Sequence, residues 1–468
     1  MTAPAPSPAQ PPDNLPDNLP AKPATAVVVL AAGIGSRMRS GAPKPLHRVG
    51  GLPLLAHALA AAATLTPVWL VVVTGPGEAG AQVADATRAA APGAVIALQP
   101  AARGTGDALA CALPALTGFA GCVVVIYADT PLLRGETLAA MAAAQTAGAA
   151  VVALGFEPSE PGGYGRLIEG PQGLERIVEA KDADADERAV RLCNAGAMAL
   201  SGALAAGWLA RLSPRNAQGE LYMTDIVALA RADGLVCAAL RCAAEEAMGV
   251  NSRVDLALAE AAFQTRARVA AMDGGATLVA PETVFLSHDT RLGRDVTVAP
   301  NVVFGPGVRV GDGAEIRAFS HLEGCTVRAR AIVGPFARLR PGADVGPGAH
   351  VGNFVEIKNA VLGEGAKANH LAYVGDATVG AGANIGAGAI TCNYDGARKH
   401  RTEIGAGAFI GSNAALVAPV SVGAGAYVAS GSVITQDVAA DALAIARARQ
   451  VSKPGLAARL RARLMGKG

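Results

Sequence analysis

Aromatic residues are scarce in this 468-residue sequence, and neither sign of charge dominates it. Phe, Trp and Tyr make up 4% of the residues, so the 51% that are hydrophobic are mostly Ala, Val and Leu. The 40 Lys and Arg nearly balance the 38 Asp and Glu, which excludes an overall electrostatic attraction to nucleic acid or to an anionic membrane. Any binding of phosphate must therefore depend on local groups.

The sequence also lacks paired cysteines, a secretory signal and a long apolar run. Its seven cysteines include no Cys-x-x-Cys pair, which favours a reducing, cytoplasmic location and argues against structural zinc. The uncharged stretch 137–156 is mostly Ala and contains Gln145 and Gly148, so it predicts a buried helix followed by a strand. Residues 1–24 are rich in Pro and predict a disordered leader. We expect neither membrane insertion nor a nucleic-acid partner.

Residues 25–252 alternate short aliphatic runs with Ala-rich stretches of helical length. Runs separated in this way are typical of a parallel sheet that is covered on both faces, so the expected fold class is α/β and Rossmann-like. The segment 253–273 contains no Gly or Pro and predicts a linker helix. The predicted strands are 26–30, 68–73, 95–98, 123–127 and 150–154.

Residues 274–468 are rich in Gly and carry an aliphatic or aromatic residue at every sixth position over long stretches. A period of six is the signature of a parallel β-helix, in which each repeat forms one flat face and points its apolar residue into a stacked core. The period is interrupted between Ile385 and Ile404, and such interruptions form loops that often carry a binding site. The periodic positions include Val298, Phe304, Val310, Ile316, Ile404, Ile410, Leu416, Val422, Val428 and Ile434.

A Gly-containing loop, Leu30-Ala-Ala-Gly-Ile-Gly-Ser-Arg-Met38, follows the first predicted strand and leads into a predicted helix. Backbone N–H groups in such a loop form a phosphate cradle, although a purely structural tight turn is the alternative. The loop matches neither a dinucleotide fingerprint nor a Walker A loop. Arg37 and Lys44 bracket it with two cations suited to a triphosphate, unless they are simply solvated. Asp129 ends the fourth predicted strand, where it is either a Mg²⁺ ligand or a helix cap.

Further motifs accompany this loop in a fixed order along the chain. They are Pro43-Lys-Pro-Leu46, Gly104-Thr-Gly106, Tyr127-Ala-Asp-Thr-Pro131, Tyr164-Gly-Arg166, Ile177-Val-Glu-Ala-Lys-Asp182, Cys193-Asn-Ala-Gly196, the segment 216–225 and Gly249-Val-Asn251. With them the first half resembles the sugar-1-phosphate nucleotidyltransferases. Together with the β-helix, residues 25–455 resemble the family of bifunctional N-acetylglucosamine-1-phosphate uridylyltransferases and glucosamine-1-phosphate N-acetyltransferases.

The resemblance implies two reactions and assigns residues to the second of them. Glucosamine-1-phosphate would first be acetylated by acetyl-CoA, and the product would then react with UTP to give UDP-N-acetylglucosamine and pyrophosphate. Asp129 and Asn251 would bind Mg²⁺, while Arg37 and Lys44 would neutralise phosphate charge in catalysis. The nucleotide would contact Leu30, Ala31, Ala32, Gly33, Lys44, Gln99, Gly104 and Thr105, and the sugar would contact Gly165, Glu179, Asn194 and Asn251.

For acetyl transfer the resemblance implies His370 as the general base. The amino-sugar phosphate would contact Arg340, Glu356, Lys358, Tyr373 and Asn384, and acetyl-CoA would contact Ala387, Asn393, Tyr394, Ser412, Ser430 and Arg447. The basic run 398–401 would lie either near the CoA phosphates or at a solvated loop tip. The resemblance further implies left-handed coiling of the β-helix and a homotrimer with the acetyl sites between subunits.

Four positions depart from the family pattern. Ile34 stands where a basic residue is common, Asp107 replaces a frequent His, and Ala128 replaces Gly, so triphosphate affinity is expected to be lower. Ser430 stands where the family often has Ala. Two other functions remain open at this point: a nucleotidyltransferase whose β-helix only oligomerises, and a scaffold that has lost both activities.

Overall fold

The computed structural model describes residues 24–33 and 35–466. Ile34 and the leader predicted over residues 1–24, except Ala24, lie outside the described residues. The chain divides between Glu260 and Ala261 into two compact units, which are described separately. Within the described ranges, no helix combines the length and apolarity needed to cross a membrane.

The first unit is built on a central sheet with strand order β11-β7-β10-β6-β1-β4-β5. Its strands are β1 (Thr25–Ala31), β2 (Arg48–Val49), β3 (Leu52–Pro53), β4 (Trp69–Thr74), β5 (Val95–Leu98), β6 (Cys122–Tyr127), β7 (Val151–Phe156), β8 (Arg166–Gly170), β9 (Gly173–Val178), β10 (Cys193–Ser201) and β11 (Cys237–Arg241). Its α-helices are α1 (Leu54–Ala63), α2 (Gly77–Ala90), α3 (Thr105–Ala112), α4 (Gly135–Thr146), α5 (Ala185–Ala189), α6 (Gly202–Leu209) and α7 (Asp225–Ala232). Helix α8 (Arg253–Asp273) follows them.

Helices cover both faces of this sheet, as the continuous aliphatic runs predict. Side chains of β1 alternate between two cores: Val28 packs with α3, α6 and α7, whereas Val27 and Val29 pack with α1, α2 and α4. All seven residues of β1 are buried. The five predicted strands are present with ends shifted by at most a few residues, and the helix predicted over 253–273 is present as α8.

The five strands predicted from the aliphatic runs are mutually parallel, but the sequence did not predict β10, which lies between two of them. This strand runs antiparallel to both β6 and β7, whereas β1, β4, β5 and β6 are mutually parallel. The β8–β9 hairpin and α5 lie between β7 and β10 in the chain. They return the chain to the end of the sheet where β7 finished, so that β10 needs no crossover.

The prediction of a helix directly after the Gly-containing loop is wrong. The chain forms only a 3-10 turn over Ser36–Met38 and a second one over Lys44–Leu46. Gly41, Pro43 and Pro45 follow within a few residues, and proline removes the backbone donor that a longer helix needs. A helix N-terminus therefore does not contribute to this loop.

The second unit is a parallel β-helix with three sheets, here called faces 1, 2 and 3. Face 1 contains Thr277–Leu278, Thr297–Val298, Glu315–Ile316, Ile332–Val333, His350–Asn353, Lys367–His370, Asn384–Ile385, Phe409–Ile410, Tyr427–Val428 and Leu443–Ala444. Face 2 contains Arg291–Leu292, Arg309–Val310, Thr326–Val327, Asp344–Val345, Val361–Leu362, Ala377–Val379, Thr402–Ile404 and Val420–Val422. Face 3 contains Val303–Phe304, His321–Leu322, Arg338–Leu339, Glu356–Lys358, Tyr373–Gly375, Ile390–Cys392, Ala415–Val417 and Val433–Ile434.

The predicted period of six matches this architecture. Each of the periodic positions given above is at most 4% exposed and lies in one continuous core. The interruption of the period forms a loop over residues 393–401, between face 3 and face 2. Helix α9 (Leu456–Met465) follows the last coil.

An exposed stack of aromatic residues follows the corner between face 1 and face 3. The ring centroids of Phe319 and Phe336 are 4.9 Å apart, and those of Phe336 and Phe354 are 5.3 Å apart. All three residues have positive φ, as has Leu371 on the next coil, and each is 46% to 62% exposed. Bulky residues rarely adopt this conformation, and here it directs a column of apolar side chains outwards.

Candidate active sites

A cavity of about 430 Å³ opens at the carboxyl ends of β1, β5 and β6. These strands are parallel to one another through β4, so their carboxyl ends lie at the same edge of the sheet, where ligands bind in α/β folds. Every residue predicted to contact the nucleotide lines this cavity, and so does Asp129. Arg37 is exposed and does not line it. Lining residues that the motifs did not assign are Gly35, Ser36, Pro45, Ala102, Ala108, Tyr127, Ala128 and Glu220.

Gly35 allows the loop after β1 to lie directly on the Lys44 side chain. Its φ is +68°, and a Cβ atom at this position would be 2.5 Å from the Cβ of Lys44. Both facts require glycine. The second glycine of the loop thus lets the backbone pack against Lys44, the predicted catalytic cation, in addition to forming a tight turn.

Lys44, Asp129 and Asn251 converge at the edge of the cavity. Lys44 is 9% exposed. Its ammonium forms an ion pair with the Asp129 carboxylate and donates to Asn251 Oδ1 at 3.1 Å. The backbone places Asn251 there because Val250 N–H donates to the Asp129 carbonyl and Asn251 N–H donates to Asp255 in the first turn of α8. Two hard oxygen donors therefore point at one position occupied by a cationic group.

Gln99, which lines the cavity, is held in place by Gly104 and Asp107. Gln99 Nε2 donates to the Gly104 carbonyl at 3.1 Å and to Asp107 Oδ2 at 2.9 Å. Asp107 is also paired with Arg103 at 2.9 Å. The Asp at this position, which departs from the family pattern, thus ties the Gly104 turn to the end of β5. Thr105 Oγ1 accepts a hydrogen bond from Met223 N–H at 3.0 Å.

The residues predicted to hold the sugar also come together. Asn194 N–H donates to the Gly165 carbonyl at 2.8 Å, and a Cβ atom at Gly165 would lie 3.3 Å from Glu179 Oε2. Burial raises the pKa of the Glu179 carboxyl, although a hydrogen bond from Thr224 opposes this shift. Tyr127 lines the nucleotide cavity. Burial raises the pKa of its hydroxyl and the nearby charge on Glu179 raises it further, so the two groups of residues adjoin.

Among the described residues, no group of three or more His, Cys, Asp or Glu side chains has the arrangement of a metal site. A metal held by Asp129 and Asn251 would therefore take its remaining ligands from phosphate oxygens and water. Mg²⁺ is commonly bound in this way, through one or two protein oxygens plus substrate phosphate. The donor set at this edge of the sheet consequently fits Mg²⁺ and does not fit zinc.

Face 3 of the β-helix carries four of the predicted amino-sugar phosphate residues. Glu356 and Tyr373 are register partners on adjacent strands. Arg340 donates to Glu356 Oε1 at 2.8 Å, and the Tyr373 hydroxyl lies over Gly375, where a Cβ atom would be 2.4 Å from it. Lys358 ends the same strand as Glu356. Asn384 lies apart from them on face 1, between Lys367 and Phe409 in register.

The loop over residues 393–401 brings a second amine to Lys358. The Lys399 side chain lies within hydrogen-bonding distance of Lys358 and lowers the pKa of its ammonium. Arg340 lowers that pKa further, while Asp376 raises it. From the sequence, the basic run 398–401 is expected either near the CoA phosphates or at a solvated loop tip. Lys399 lies at the end of face 3, beside the residue predicted to hold phosphate, and a contact of this run with the CoA phosphates stays a prediction.

His370 is positioned by a residue that the motifs did not reveal. Its Nδ1 lies 2.7 Å from Asn353 Oδ1, and the two residues are register partners on face 1. Because a carbonyl oxygen can only accept, this arrangement puts the proton on Nδ1 and leaves the Nε2 lone pair free. The spacing of one coil between the two residues was the available signal.

Four of the residues predicted to contact acetyl-CoA form a column along the edge that follows face 1. Asn413 N–H donates to the Ala387 carbonyl at 2.8 Å, which joins Ala387 to the coil that carries Ser412. A Cβ atom at Gly386 would touch Ser412, one at Gly411 would touch Ser430, and one at Gly431 would lie 4.0 Å from Arg447. The column consists of Ala387, Ser412, Ser430 and Arg447 on successive coils.

The other two predicted acetyl-CoA residues lie on the protruding loop, at the far edge of face 3. Asn393 is buried and donates to Asp376, which also accepts from Asn359 at 2.5 Å. Tyr394 is 61% exposed, and its hydroxyl donates to the Gly396 carbonyl at 2.6 Å. Within one chain, the predicted acetyl-CoA residues therefore occupy two different edges of the β-helix.

Two family models match the chain. The MobA-like NTP transferase domain matches residues 27–194, and the bacterial transferase hexapeptide (six repeats) matches residues 289–324 and 401–436. The folds of the two units agree with these matches. The protein is thus a transferase in which an NTP transferase domain precedes a left-handed parallel β-helix of hexapeptide repeats.

Relatives match nearly the whole chain. It is 58% identical over 435 residues to the Bifunctional protein GlmU of Paracoccus denitrificans, and this match covers 93% of this chain and 96% of the relative. It is also 58% identical to that of Xanthobacter autotrophicus (93% and 97% covered) and 53% identical to that of Paramagnetospirillum magneticum (94% and 98% covered). The chain belongs to the GlmU family of bifunctional enzymes. These matches support the bifunctional prediction over a single-activity nucleotidyltransferase.

Proposed function

We propose that this protein makes UDP-N-acetylglucosamine in two steps, acetylating glucosamine-1-phosphate with acetyl-CoA and then coupling the product to UTP. One observation carries the proposal: the same chain holds Lys44, Asp129 and Asn251 at a cavity of nucleotide-binding type and His370 on an ordered partner in the β-helix. The resemblance of the motifs supplies the identities of the nucleotide, UTP, and of the sugar.

In the uridylyl step, a phosphate oxygen of N-acetylglucosamine-1-phosphate attacks the α-phosphorus of UTP, and the bond to pyrophosphate breaks. No covalent intermediate with the protein is needed, so catalysis depends on positioning and on charge neutralisation. The loop after β1 and the Gly104 turn would hold the nucleotide, with Lys44 beside the phosphates. Gly165, Glu179 and Asn194 would hold the sugar, since they form a group next to Tyr127.

Asp129 and Asn251 are the proposed Mg²⁺ ligands because their side-chain oxygens converge where a cation lies. Bound there, the ion supplies neutralisation of the triphosphate charge. The Lys44 ammonium must then leave its contacts with these two oxygens, and it is expected to move to a phosphate. Arg37 is exposed, and its proposed catalytic role requires the loop after β1 to close over the nucleotide.

In the acetyl step, the sugar amine attacks the thioester carbonyl of acetyl-CoA, the C–S bond breaks, and the amine proton passes to His370 Nε2. The free Nε2 lone pair follows from the Nδ1 contact with Asn353. Arg340, Lys358, Tyr373, Glu356 and Lys399 would bind the phosphorylated amino sugar. The column from Ala387 to Arg447 and the loop residues Asn393 and Tyr394 would hold acetyl-CoA, with Asn384 completing the amino-sugar site.

The proposal includes a homotrimer and a cytoplasmic location. The exposed Phe319, Phe336 and Phe354 stack supports an interface between β-helices, because exposed apolar patches mark such surfaces. The division of the acetyl-CoA residues between two edges supports sites that two subunits complete together. Seven free cysteines support a reducing compartment.

A coupled assay on the purified full chain tests the proposal, with coenzyme A thiol and pyrophosphate measured separately. Glucosamine-1-phosphate, acetyl-CoA, UTP and Mg²⁺ together are expected to release both products, with thiol appearing first. An enzyme-only blank corrects for the protein's seven cysteines. Pyrophosphate released only when N-acetylglucosamine-1-phosphate is supplied, with no thiol at any time, would leave the β-helix without catalytic function and refute the two-step proposal.

A further inference from the structure

The segment that follows the last β-helix coil has an unusual concentration of positive charge. Residues 442–468 contain seven Lys and Arg and no Asp or Glu, although the whole chain is nearly neutral. Six of these cations lie within the described residues. They are Arg447, Arg449, Lys453, Arg459, Arg461 and Arg463.

This tail leaves the β-helix after Ala446 and is exposed over its whole described length. Ala446 N–H donates to Ser432 Oγ at 3.1 Å, and Val433 N–H donates to the Ala446 carbonyl, also at 3.1 Å. Every described residue from 445 to 466 is exposed, and α9 has no buried residue. Long apolar side chains on a helix are normally buried against a core, so those of α9 require another explanation.

Helix α9 segregates its apolar and cationic side chains. Leu456, Leu460 and Leu464 follow the i, i+4, i+8 spacing and share one face, at about 100° per residue. By the same geometry, Arg463 and Arg461 fall on opposite sides of this leucine stripe. An apolar stripe flanked on both sides by long cationic side chains fits a flat interface, where the stripe enters an apolar layer and the guanidinium groups meet anionic groups at its surface.

We propose that α9, with Arg449 and Lys453 before it, binds the surface of an anionic phospholipid bilayer. The cations supply attraction to acidic headgroups, and the leucine stripe supplies partial burial at the boundary of the acyl chains. The ten-residue helix is about 15 Å long, so it lies along the surface and does not cross the bilayer. The binding is peripheral, reversible and dependent on ionic strength.

Other occupants fit these features less well. Nucleic acid would pair with the arginines but would leave Leu456, Leu460 and Leu464 in water, since phosphate contacts use no apolar stripe. Pairing of α9 with another copy of itself would bury the leucines but bring the two sets of arginines together, and like charges on facing helices repel. A bilayer with acidic headgroups satisfies both the stripe and the charges.

Vesicle flotation of the full-length protein tests the proposal. Vesicles of phosphatidylcholine with about 30% phosphatidylglycerol are compared with phosphatidylcholine alone, at about 0.1 M and 0.5 M salt, concentrations that span the range over which surface charges become screened. We expect the protein to float with the anionic vesicles at low salt, and to remain at the bottom with neutral vesicles or at high salt. Equal flotation with both lipid compositions would overturn the proposal.

Three variants identify the segment and the mode of binding. Removing three charges by Arg459→Gln, Arg461→Gln and Arg463→Gln is expected to lower partitioning by roughly a hundredfold, from the usual contribution of each cation near such a surface. Leu460→Gln with Leu464→Gln is expected to lower it at least about tenfold while leaving the charge unchanged. The matched control replaces Arg294, Arg309 and Arg330, exposed residues of the β-helix, with Gln and should bind as the parent does.

Activity and nucleic-acid binding complete the test. All variants should retain thiol and pyrophosphate release, because none changes a residue placed in either active site, and this shows that they are folded. Labelled duplex DNA is titrated at the same ionic strength. Tight DNA binding that is lost in the arginine variant but kept in the leucine variant, without vesicle flotation of the parent, would overturn the proposal in favour of nucleic acid.

Discussion

Lys44 and Asp129 form an ion pair at the edge of the nucleotide cavity although 85 residues separate them in the sequence. Asn251 accepts from the same ammonium, so three distant segments meet at one point. This convergence is what distinguishes a nucleotidyl-transfer site from a cavity that is merely lined by glycine and alanine. Asp129 is not a helix cap, because the next helix, α4, has Arg134 at its N-cap position, and Asp129 instead lines the cavity.

Replacement of the proposed metal ligand is expected to affect only the second reaction. Asp129→Asn keeps the shape of the side chain but removes the charge that would hold Mg²⁺, so kcat/KM for pyrophosphate release should fall about a hundredfold or more. Thiol release should not change, because the acetyl site lies in the β-helix. Chelation of divalent metal in the parent protein is expected to have the same selective effect, reversed by added Mg²⁺.

The control for this prediction is Glu78→Gln, which removes a carboxylate from an exposed position in α2. It should leave both reactions at parental rates. If Asp129→Asn abolished thiol release in a folded protein, or if chelation left pyrophosphate release intact, the division of the two chemistries between the two units would be contradicted.

Burial of Glu179 has a predictable effect on stability. Because burial raises the pKa of its carboxyl, ionisation opposes folding. The stability associated with the neutral carboxyl is fully present below the ordinary pKa of Glu and is lost as pH rises through the folded-state value. Glu179→Gln should therefore unfold at a higher denaturant concentration than the parent at pH 8, with the difference shrinking towards acidic pH.

The same substitution should lower the uridylyl rate at least about tenfold, since the carboxylate proposed to contact the sugar is lost. Glu160→Gln, at an exposed position, serves as the matched control and should change neither stability nor rate. A Glu179→Gln protein that is less stable than the parent at pH 8 would show that the carboxylate is stabilised in the fold.

Much of this fold could be predicted because burial leaves few choices for continuous aliphatic runs and for apolar residues spaced by six. Val27 and Val29 must face one layer if Val28 faces the other, and Ile410 can only point inwards. The antiparallel β10 could not be predicted, since its first half is short in aliphatic residues and its direction depends on the hairpin before it. The short 3-10 turn after Gly35 reflects nearby prolines, whose effect outweighs the loop's resemblance to helix-starting motifs.

The site residues show the same limit. Residues adjacent to strand ends, such as Asp129, could be placed because parallel strands share an edge. Lys399 could not, because a loop of nine residues does not reveal which edge of the β-helix it will meet. Asn353 was within reach of sequence reasoning, since its spacing from His370 is one coil of the repeat, but no chemical motif identifies an asparagine as a positioning residue.

Asn353 is expected to orient the His370 ring. Asn353→Ala removes the acceptor for Nδ1–H, so the ring can rotate or change tautomer, and kcat for thiol release should fall about tenfold to a hundredfold with little change in KM. Asn353→Asp retains an acceptor and should recover much of the rate. Equal losses in both variants would indicate a structural role only.

Lys399 is expected to help bind the phosphate of the amino sugar. Two amines held side by side favour binding of an anion between them. Lys399 lowers the pKa of Lys358, as a neighbouring cation does. Lys399→Ala should therefore raise KM for glucosamine-1-phosphate about tenfold and leave KM for acetyl-CoA nearly unchanged. Arg398→Ala removes a neighbouring charge of the same loop and serves as the control. A selective rise in KM for acetyl-CoA would instead place Lys399 against the CoA phosphates.

The exposed aromatic stack predicts how the β-helices associate. Phe336 is 46% exposed and stacks on both of its neighbours, so Phe336→Asn with Phe354→Asn replaces the centre of the column by a polar residue that tolerates positive φ. In sedimentation equilibrium the parent should be trimeric and the variant largely monomeric. Thiol release should then fall sharply while pyrophosphate release continues, because in the proposed trimer only the acetyl site takes residues from two subunits. Val361→Asn, an apolar residue of face 2 that is 42% exposed, is the control and should remain trimeric. A parent protein that sediments as a monomer with full acetyltransferase activity would refute the shared site.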